Sequence, residues 1–457
     1  MSLQFITGNS GNGKTKYLFN RIVKEAKANP RDNYLVIVPE QFTMQTQRQL
    51  VDLSENKAIM NIDVLSFKRL AYRVFDELGI TNLTVLEETG KNLVLRKLAA
   101  QEADKLGVIG RNLNRIGYIS EVKSLLSELV QYNISPEELG RYIASGSLSD
   151  TLSDKLKDVL VLYEAFEKFM QDKYITAEER LNVLSNVAEE SAILRNSVIA
   201  FDEFTGFTPI QNQLIKKLFV ISKKIYVTLT IDCREDIFKS RGMQELFDMP
   251  KRTVKSLTEM AAFYGIEVEE PIILDKNYRL AENEELSFME QQLFRKRRCS
   301  FKKVPKHIHI DCLRDPKQEL TKIARRINEL VRNENLRYRD IAIVTGDVNI
   351  YAGYVREIFD KYNIPYFIDA TQEILFHPFI EFIRSIPDIA AQNFSADAVF
   401  RFLRCGFSEL LDSEIDVLEN YVLACGVRGK SAWDKKWVRL PKHKAGYDLE
   451  LLNQSRE

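Results

Sequence analysis

Gly8-Asn9-Ser10-Gly11-Asn12-Gly13-Lys14-Thr15 follows directly on the apolar run 3–7. The octet matches G-x-x-x-x-G-K-[ST] in full, and its position decides the fold. A short buried strand delivers the chain to a turn whose backbone N–H groups converge on a phosphate. A helix opening at Lys14 then adds its positive end to the same place. Gly8, Gly11 and Gly13 allow φ values and a close approach that a Cβ would block. Lys14 can reach the β- and γ-phosphates, and the Thr15 hydroxyl can take one place on Mg2+. From average composition such an octet arises by chance in a chain of this length about one or two times in a hundred. The amphipathic stretch with Tyr17, Leu18, Ile22 and Val23 supplies the helix that the loop requires. Nucleotide binding on an α/β fold is the expectation.

The 457 residues suggest several domains and easily support sizeable cores. With 45% hydrophobic and 28% charged residues, the composition reads as globular. The 65 basic and 65 acidic residues cancel, so a nucleic-acid surface must be a local patch and not a bulk charge. Cys233, Cys299, Cys312, Cys405 and Cys425 have no metal-ligand spacing and fit reduced thiols. No stretch approaches the roughly 18 uncharged apolar residues of a membrane span, and no signal-peptide pattern is present. A cytoplasmic protein with no membrane partner is the expectation.

Strands and helices alternate over residues 1–90, with apolar runs at 3–7, 34–38 and 62–65, as in βαβ units of a parallel sheet. Residues 91–190 carry apolar positions at helical spacing and read as an all-helical insertion. Strand character returns at 197–201 and 225–231, with a helix over 210–219 between them, so the first sheet resumes over 191–294. A basic linker is expected at 295–306, from Arg295-Lys296-Arg297-Arg298 through Lys302, Lys303 and Lys306. It is more often a solvated run than a DNA contact. Residues 307–390 alternate again: strand 307–313, helix 317–332, strand 341–345, helix 352–362, strand 366–369. That is an incomplete second parallel-sheet lobe, since such sheets usually hold about four to six strands. Residues 391–457 read as the start of a second helical insertion, truncated, and hence as part of a longer protein.

The second chemical signal is Val198-Ile199-Ala200-Phe201-Asp202-Glu203, an apolar strand ending in two carboxylates. Beside a phosphate loop, Asp202 can hold Mg2+ and Glu203 can orient or deprotonate an attacking water. Alone, such a pair is ordinary loop chemistry. His307 and His309 alternate along a strand and read as structural.

The segment Asp202-Glu203-Phe204-Thr205…Gln211 resembles the DExQ…Q motif of superfamily 1 DNA helicases, and Leu274-Asp275-Lys276-Asn277-Tyr278-Arg279 resembles their L-x-x-N-Y-R motif. The resemblance implies two RecA-like lobes, 1A and 2A, with helical insertions 1B and 2B. It also implies that Tyr278 stacks on adenine and Arg279 reaches the γ-phosphate. A buried aromatic at a helix start is the alternative for Tyr278. Val38-Pro39-Glu40-Gln41-Phe42-Thr43, Leu65-Ser66-Phe67-Lys68-Arg69-Leu70, His377-Pro378-Phe379-Ile380-Glu381-Phe382 and Leu418-Glu419-Asn420-Tyr421-Val422 are similar to the AddB family. These are the B subunits of bacterial ATP-dependent helicase/exonucleases that process double-strand breaks for recombinational repair. The resemblance implies ATP and Mg2+ as cofactors, an AddA-type helicase/nuclease partner, and single- and double-stranded DNA ends as substrates. It also implies a nuclease domain and a 4Fe-4S cluster outside this chain. By position, Gln41, Phe42, Thr43, Ser66, Phe67, Lys68 and Arg69 become the implied DNA contacts, with core packing the alternative for Phe42 and Phe67.

Departures from an active motor are as informative. The chain begins seven residues before Gly8, leaving no room for the upstream Gln that reads adenine in the superfamily. Thr205 replaces the Gln of DExQ, and near Asp232 and Cys233 the Gln of the third motif is missing. The resemblance therefore implies a region that holds ATP and scans single-stranded DNA for Chi while the partner drives translocation. On its own it would show weak or no ATPase and no nuclease activity. An autonomous superfamily 1 helicase is one alternative; a P-loop small-molecule kinase is another.

Overall fold

A computed structural model describes residues 1–80, 85–108, 110, 116–145, 148–170, 174–176, 179–295, 299–370, 374, 376–440 and 447–456. These divide into two compact units, Met1–His309 and Ile310–Glu457.

The first unit is built on a sheet of strands β1 (Ser2–Gly8), β2 (Tyr34–Ile37), β3 (Ile62–Leu65), β6 (Val198–Phe201), β7 (Lys224–Thr230), β8 (Glu267–Val268) and β9 (Ile272–Leu274). A separate two-stranded pair, β4 (Val85–Leu86) and β5 (Ile175–Thr176), stands apart. The sheet order is β3-β2-β6-β7-β1-β8, with β9 pairing further along β1, and every pairing is parallel. Both faces are apolar because both are covered. Leu3, Phe5, Leu35, Ile37, Ile199, Phe201, Ile225 and Val227 face one core. The alternate residues Ile6, Tyr34, Val36, Val198, Ala200 and Tyr226 face the other.

Helices α1 (Lys14–Ala28) and α2 (Thr43–Leu53) cover the second of these faces through Leu18, Phe19, Ile22 and Leu50. Helix α3 (Phe67–Glu77) packs on the first. Helices α4 (Glu88–Gln101), α5 (Ile116–Gln131), α6 (Pro136–Ala144) and α7 (Asp150–Met170) form the insertion around a core of their own, including Leu95, Leu126, Leu162 and Phe166. The described elements of 91–190 are helical apart from the short β5. Helices α8 (Glu179–Val187), α9 (Pro209–Ile221) and α10 (Asp248–Phe263) return to the first face. Helix α11 (Glu284–Gln292) follows β9.

Residues 299–309 are not a free linker. Phe301 packs on Phe288 of α11 at 5.3 Å between ring centroids, and the Lys306 and His307 N–H groups donate to Glu285 at 2.7 and 2.8 Å. Lys296, Arg297 and Arg298 lie outside the described residues.

The second unit corrects part of the expectation. Its described elements are α12 (Pro316–Asn333), α13 (Val348–Lys361), α14 (Pro378–Ala391), α15 (Ala396–Leu403), α16 (Asp412–Cys425), α17 (Lys430–Trp433) and α18 (Leu449–Arg456). Helices α12 and α13 pack through Leu320, Ala324, Ile327, Ile358 and Phe359, and a second core gathers Phe400, Leu418, Tyr421, Trp433 and Trp437. Among the described residues of this unit there is no strand, so 307–313, 341–345 and 366–369 form no sheet. An apolar run becomes a parallel strand only beside a partner that takes its N–H and C=O groups. Val344 and Phe367 lie largely exposed instead.

Candidate functional site

The parallel register brings the carboxyl ends of four strands together. Gly8 of β1 lies beside Thr230 of β7 on one side and Leu274 of β9 on the other, and Phe201 of β6 lies beside Val227. Loops leaving such ends converge on a shared crevice. Here it is a cavity of about 800 Å3 lined by Ser10, Gly11, Gly13, Lys14, Thr15, Asp202, Glu203, Tyr278 and Arg279, among others.

The loop 8–15 is tightly determined. A Cβ on Gly8 would lie 2.6 Å from the Leu274 carbonyl oxygen, and one on Gly11 would lie 2.7 Å from Asn277 Oδ1. Gly13 caps α1 with a left-handed φ of 78° and no side chain to occupy the helix's free N–H groups. Lys14 Nζ donates to the Gly8 and Asn9 carbonyls, both at 3.0 Å. Burial pushes this ammonium below the usual lysine range; Asp202 and Glu203 oppose the shift and Arg279 adds to it.

Asp202 is 1% exposed. Its Oδ1 accepts the Thr228 hydroxyl, while Oδ2 is buried with no hydrogen-bond partner. Burial pushes its carboxyl above the usual range, and the adjacent Glu203 charge adds to this against the Thr228 and Thr15 hydroxyls. Thr15 Oγ1 donates to Glu203 Oε1 at 3.4 Å. A buried carboxylate oxygen with no donor of its own, beside a hydroxyl, is an all-oxygen set that suits a hard divalent cation. Thr15 and Asp202 therefore fit Mg2+.

Residues 277–279, far away in sequence, are fastened onto the same loop. Asn277 Nδ2 donates to the Ser10 carbonyl at 3.0 Å, and its Oδ1 accepts the Arg279 and Leu280 N–H groups. The Tyr278 N–H donates to the Gly11 carbonyl at 3.0 Å, and Arg279 Nη1 donates to Ser10 Oγ at 3.3 Å. The Tyr278 ring is 65% exposed, with Lys276 Nζ 5.0 Å from its centroid. It is not a buried packing residue.

The family model described as "ADDB, N-terminal" matches residues 5–290 of this sequence. The chain belongs to that family. Proteins named as the B subunit of an ATP-dependent helicase/deoxyribonuclease are similar to it along its whole length. The one from Lachnoclostridium phytofermentans is 39% identical over 464 aligned positions, covering 100% of this chain and 40% of that protein. Those of Caldanaerobacter subterraneus and Clostridioides difficile are 34% and 33% identical, again over 100% of this chain and over 39% and 40% of theirs. The chain thus spans about two-fifths of the length of the curated relatives it matches.

Of the family's implied DNA contacts, Gln41, Lys68 and Arg69 are exposed, and Phe42 is half-buried against the core. Thr43 and Ser66 are buried. Thr43 Oγ1 donates to the Glu40 carbonyl at 3.0 Å. Ser66 caps α3 by accepting the Arg69 N–H and also donates to Glu40, whose other oxygen accepts Arg69 Nε at 3.1 Å. Phe67 is 7% exposed and stacks on Phe201. It is a core residue, and the surface role implied for it does not fit this placement. Gln211 closes the capping box of α9 with Thr208.

Sequence reasoning quoted Asn277 within its motif but gave no role to its side chain, which makes the joint with the loop, and it missed Thr228, which holds Asp202. The alternation of Thr228 and Thr230 inside an otherwise apolar strand was the available signal. Asp232 also takes a structural place. Burial alone would raise its carboxyl, but bidentate Arg234 at 2.9 and 2.6 Å, together with Arg295, outweighs burial and holds it down at about 2. A carboxyl depressed in the folded state stabilises above its unfolded pKa of about 4, and the gain is lost as pH falls towards about 2. Urea midpoints measured from about pH 5 down to 2 should fall less steeply for Asp232→Asn than for wild type. Parallel slopes would refute the ion-pair assignment.

Proposed function

We propose that this chain is the ATP- and DNA-binding, helicase-like region of the B subunit of a heterodimeric ATP-dependent helicase/exonuclease. It works with an AddA-type partner on double-strand breaks in the cytoplasm. Its first unit is a P-loop NTPase lobe of the RecA-like kind. The second lobe rests on the family resemblance alone, because its described residues hold no strand. Among the described residues no helix is long and apolar enough to cross a membrane.

The observation that carries the reading is the joint of Asn277, Tyr278 and Arg279 to the loop 8–15, facing Asp202 and Glu203. The joint of the Tyr278 ring and the Arg279 guanidinium to loop 8–15, in a cavity also lined by two carboxylates, supports a stacking role for the first and a phosphate-reading role for the second. Lys14 and the α1 N-terminus would bind the phosphates, and Arg279 would reach the terminal one. Glu203 would orient the attacking water and accept its proton. Mg2+ held by Thr15 and Asp202 would neutralise charge on the β- and γ-phosphates. The family match speaks against the kinase alternative.

Motor function needs hydrolysis to be felt by residues that also touch DNA. Thr205 stands where the Gln of DExQ would be, and its carbonyl accepts Thr253 Oγ1 at 3.1 Å. Asp232 is tied up by Arg234 and Arg295. We therefore read the region as one that scans single-stranded DNA for Chi while the partner supplies the motor. Without the partner, single-stranded DNA should bind in a salt-weakened manner and should barely accelerate ATPase. Steady-state ATPase with and without single-stranded DNA tests this. A large stimulation that Glu203→Gln abolishes would restore the autonomous helicase.

A further inference from the structure

The two carboxylates of the cavity are followed by an aromatic block that has no part in the chemistry described so far. Phe67, Phe201, Phe204 and Phe207 form a tetrad in which every pair of ring centroids lies within 6.4 Å. Phe204 sits at its junction: it lines the cavity, and its ring meets Phe67 edge-on at 5.6 Å. Phe67 is the first residue of α3, and the next two residues, Lys68 and Arg69, are exposed cations.

Glu203, immediately before Phe204, has a left-handed φ of 63°. A residue with a Cβ holds that conformation only where its surroundings impose it. Here two restraints act on it. On one side the Asp202 N–H donates to the Ile37 carbonyl, extending the β2 ladder. On the other, Phe204 is anchored in the tetrad. The Glu203 side chain meanwhile accepts from Thr15 of the phosphate loop. A strained residue clamped between a sheet and a packed ring stores backbone strain that a change at its side chain can release.

We propose that Phe204 is a positioning residue that couples nucleotide occupancy to the grip of the α3 N-terminus on single-stranded DNA. When a bound nucleotide takes the Thr15 hydroxyl away from Glu203, the backbone at 203 changes its setting and Phe204 shifts against Phe67. Lys68 and Arg69 move with it. The route is apolar and bypasses the position of Thr205. The coupling is one of affinities, and by linkage it is reciprocal: DNA alters nucleotide affinity by the same factor, with no demand on the hydrolysis rate. This inference rests on the ATP- and DNA-binding reading above.

The test measures the affinity of the 457-residue chain for fluorescein-labelled oligo-dT by anisotropy, with and without saturating Mg2+ and a non-hydrolysable ATP analogue. For wild type we expect the two oligo-dT affinities to differ by about fivefold or more, the lower end of ordinary coupling. In Phe204→Leu the ratio should fall towards one while the analogue itself still binds, and Phe204→Tyr, which keeps the ring, should restore it. Should the leucine variant not fold, Phe204→Met takes its place. A merely structural residue would shift both affinities together and leave the ratio unchanged; that outcome overturns the proposal. A ratio of one in wild type overturns it too, with the binding reading intact. Failure of wild type to bind analogue or oligo-dT overturns that reading, and the coupling with it.

Discussion

Replacing Lys14 with alanine should weaken Mg·ATP binding by about 10- to 150-fold, the equivalent of a lost charge-assisted hydrogen bond. The ammonium stands at the start of α1 and bridges the Gly8 and Asn9 carbonyls, so the chain itself holds it over the loop. Burial makes its charge costly there, and Asp202 and Glu203 partly offset that cost. A phosphate would complete the compensation, which is why the loss should appear in binding. Some loss of stability should accompany it, because the carbonyls of Gly8 and Asn9, both buried residues, lose their Lys14 donor. Nucleotide titration of both proteins checks the expectation. Equal affinities would mean that the loop does not bind phosphate, and the proposed function would fall with it.

Phe67→Ala should destabilise the first unit by about 3–5 kcal/mol, the cost of emptying a packed aromatic site. The ring is buried in the larger core and touches Phe201, Phe204 and Phe207. Had it been a stacking platform for DNA bases, truncation would cost about 1–3 kcal/mol of DNA affinity and leave stability intact. Urea unfolding and DNA binding on the same preparation separate the two roles. Unchanged stability with lost DNA affinity would return Phe67 to the surface role that its position in the sequence implied. Lys68 and Arg69, one and two residues on, carry the opposite expectation. Both are exposed, and their removal should reduce DNA affinity and its salt dependence without affecting folding.

Much of the site was legible because its signals are local. A glycine loop between an apolar strand and an amphipathic helix carries its whole motif within eight consecutive positions, 8–15. The Asp202-Glu203 pair could be located because a strand end is a place that periodicity reveals. The helical insertion was legible for the same reason, since a 3.6-residue repeat reports its own buried face. Other features depended on partners distant in the chain. The joint between Asn277 and Ser10 closes across 267 residues, and only the pairing of β9 with β1 brings the two segments together. Phe67 and Lys68 are adjacent in sequence, yet one is core and the other surface, because the sheet decides which side of α3 it covers.

The apolar runs at 341–345 and 366–369 show the same limit from the other direction. Their composition is that of strands, and among the described residues no ladder forms. The amino-acid sequence by itself determined where the candidate phosphate loop lies, because its strand, glycines and helix are consecutive in the chain. Tertiary structure decided which aromatic rings are buried, which carboxylates face the cavity and which are consumed by arginines, and whether an extended run becomes a strand. Each of those outcomes is a contact between segments far apart in the chain, and its free energy exists only once both partners are in place.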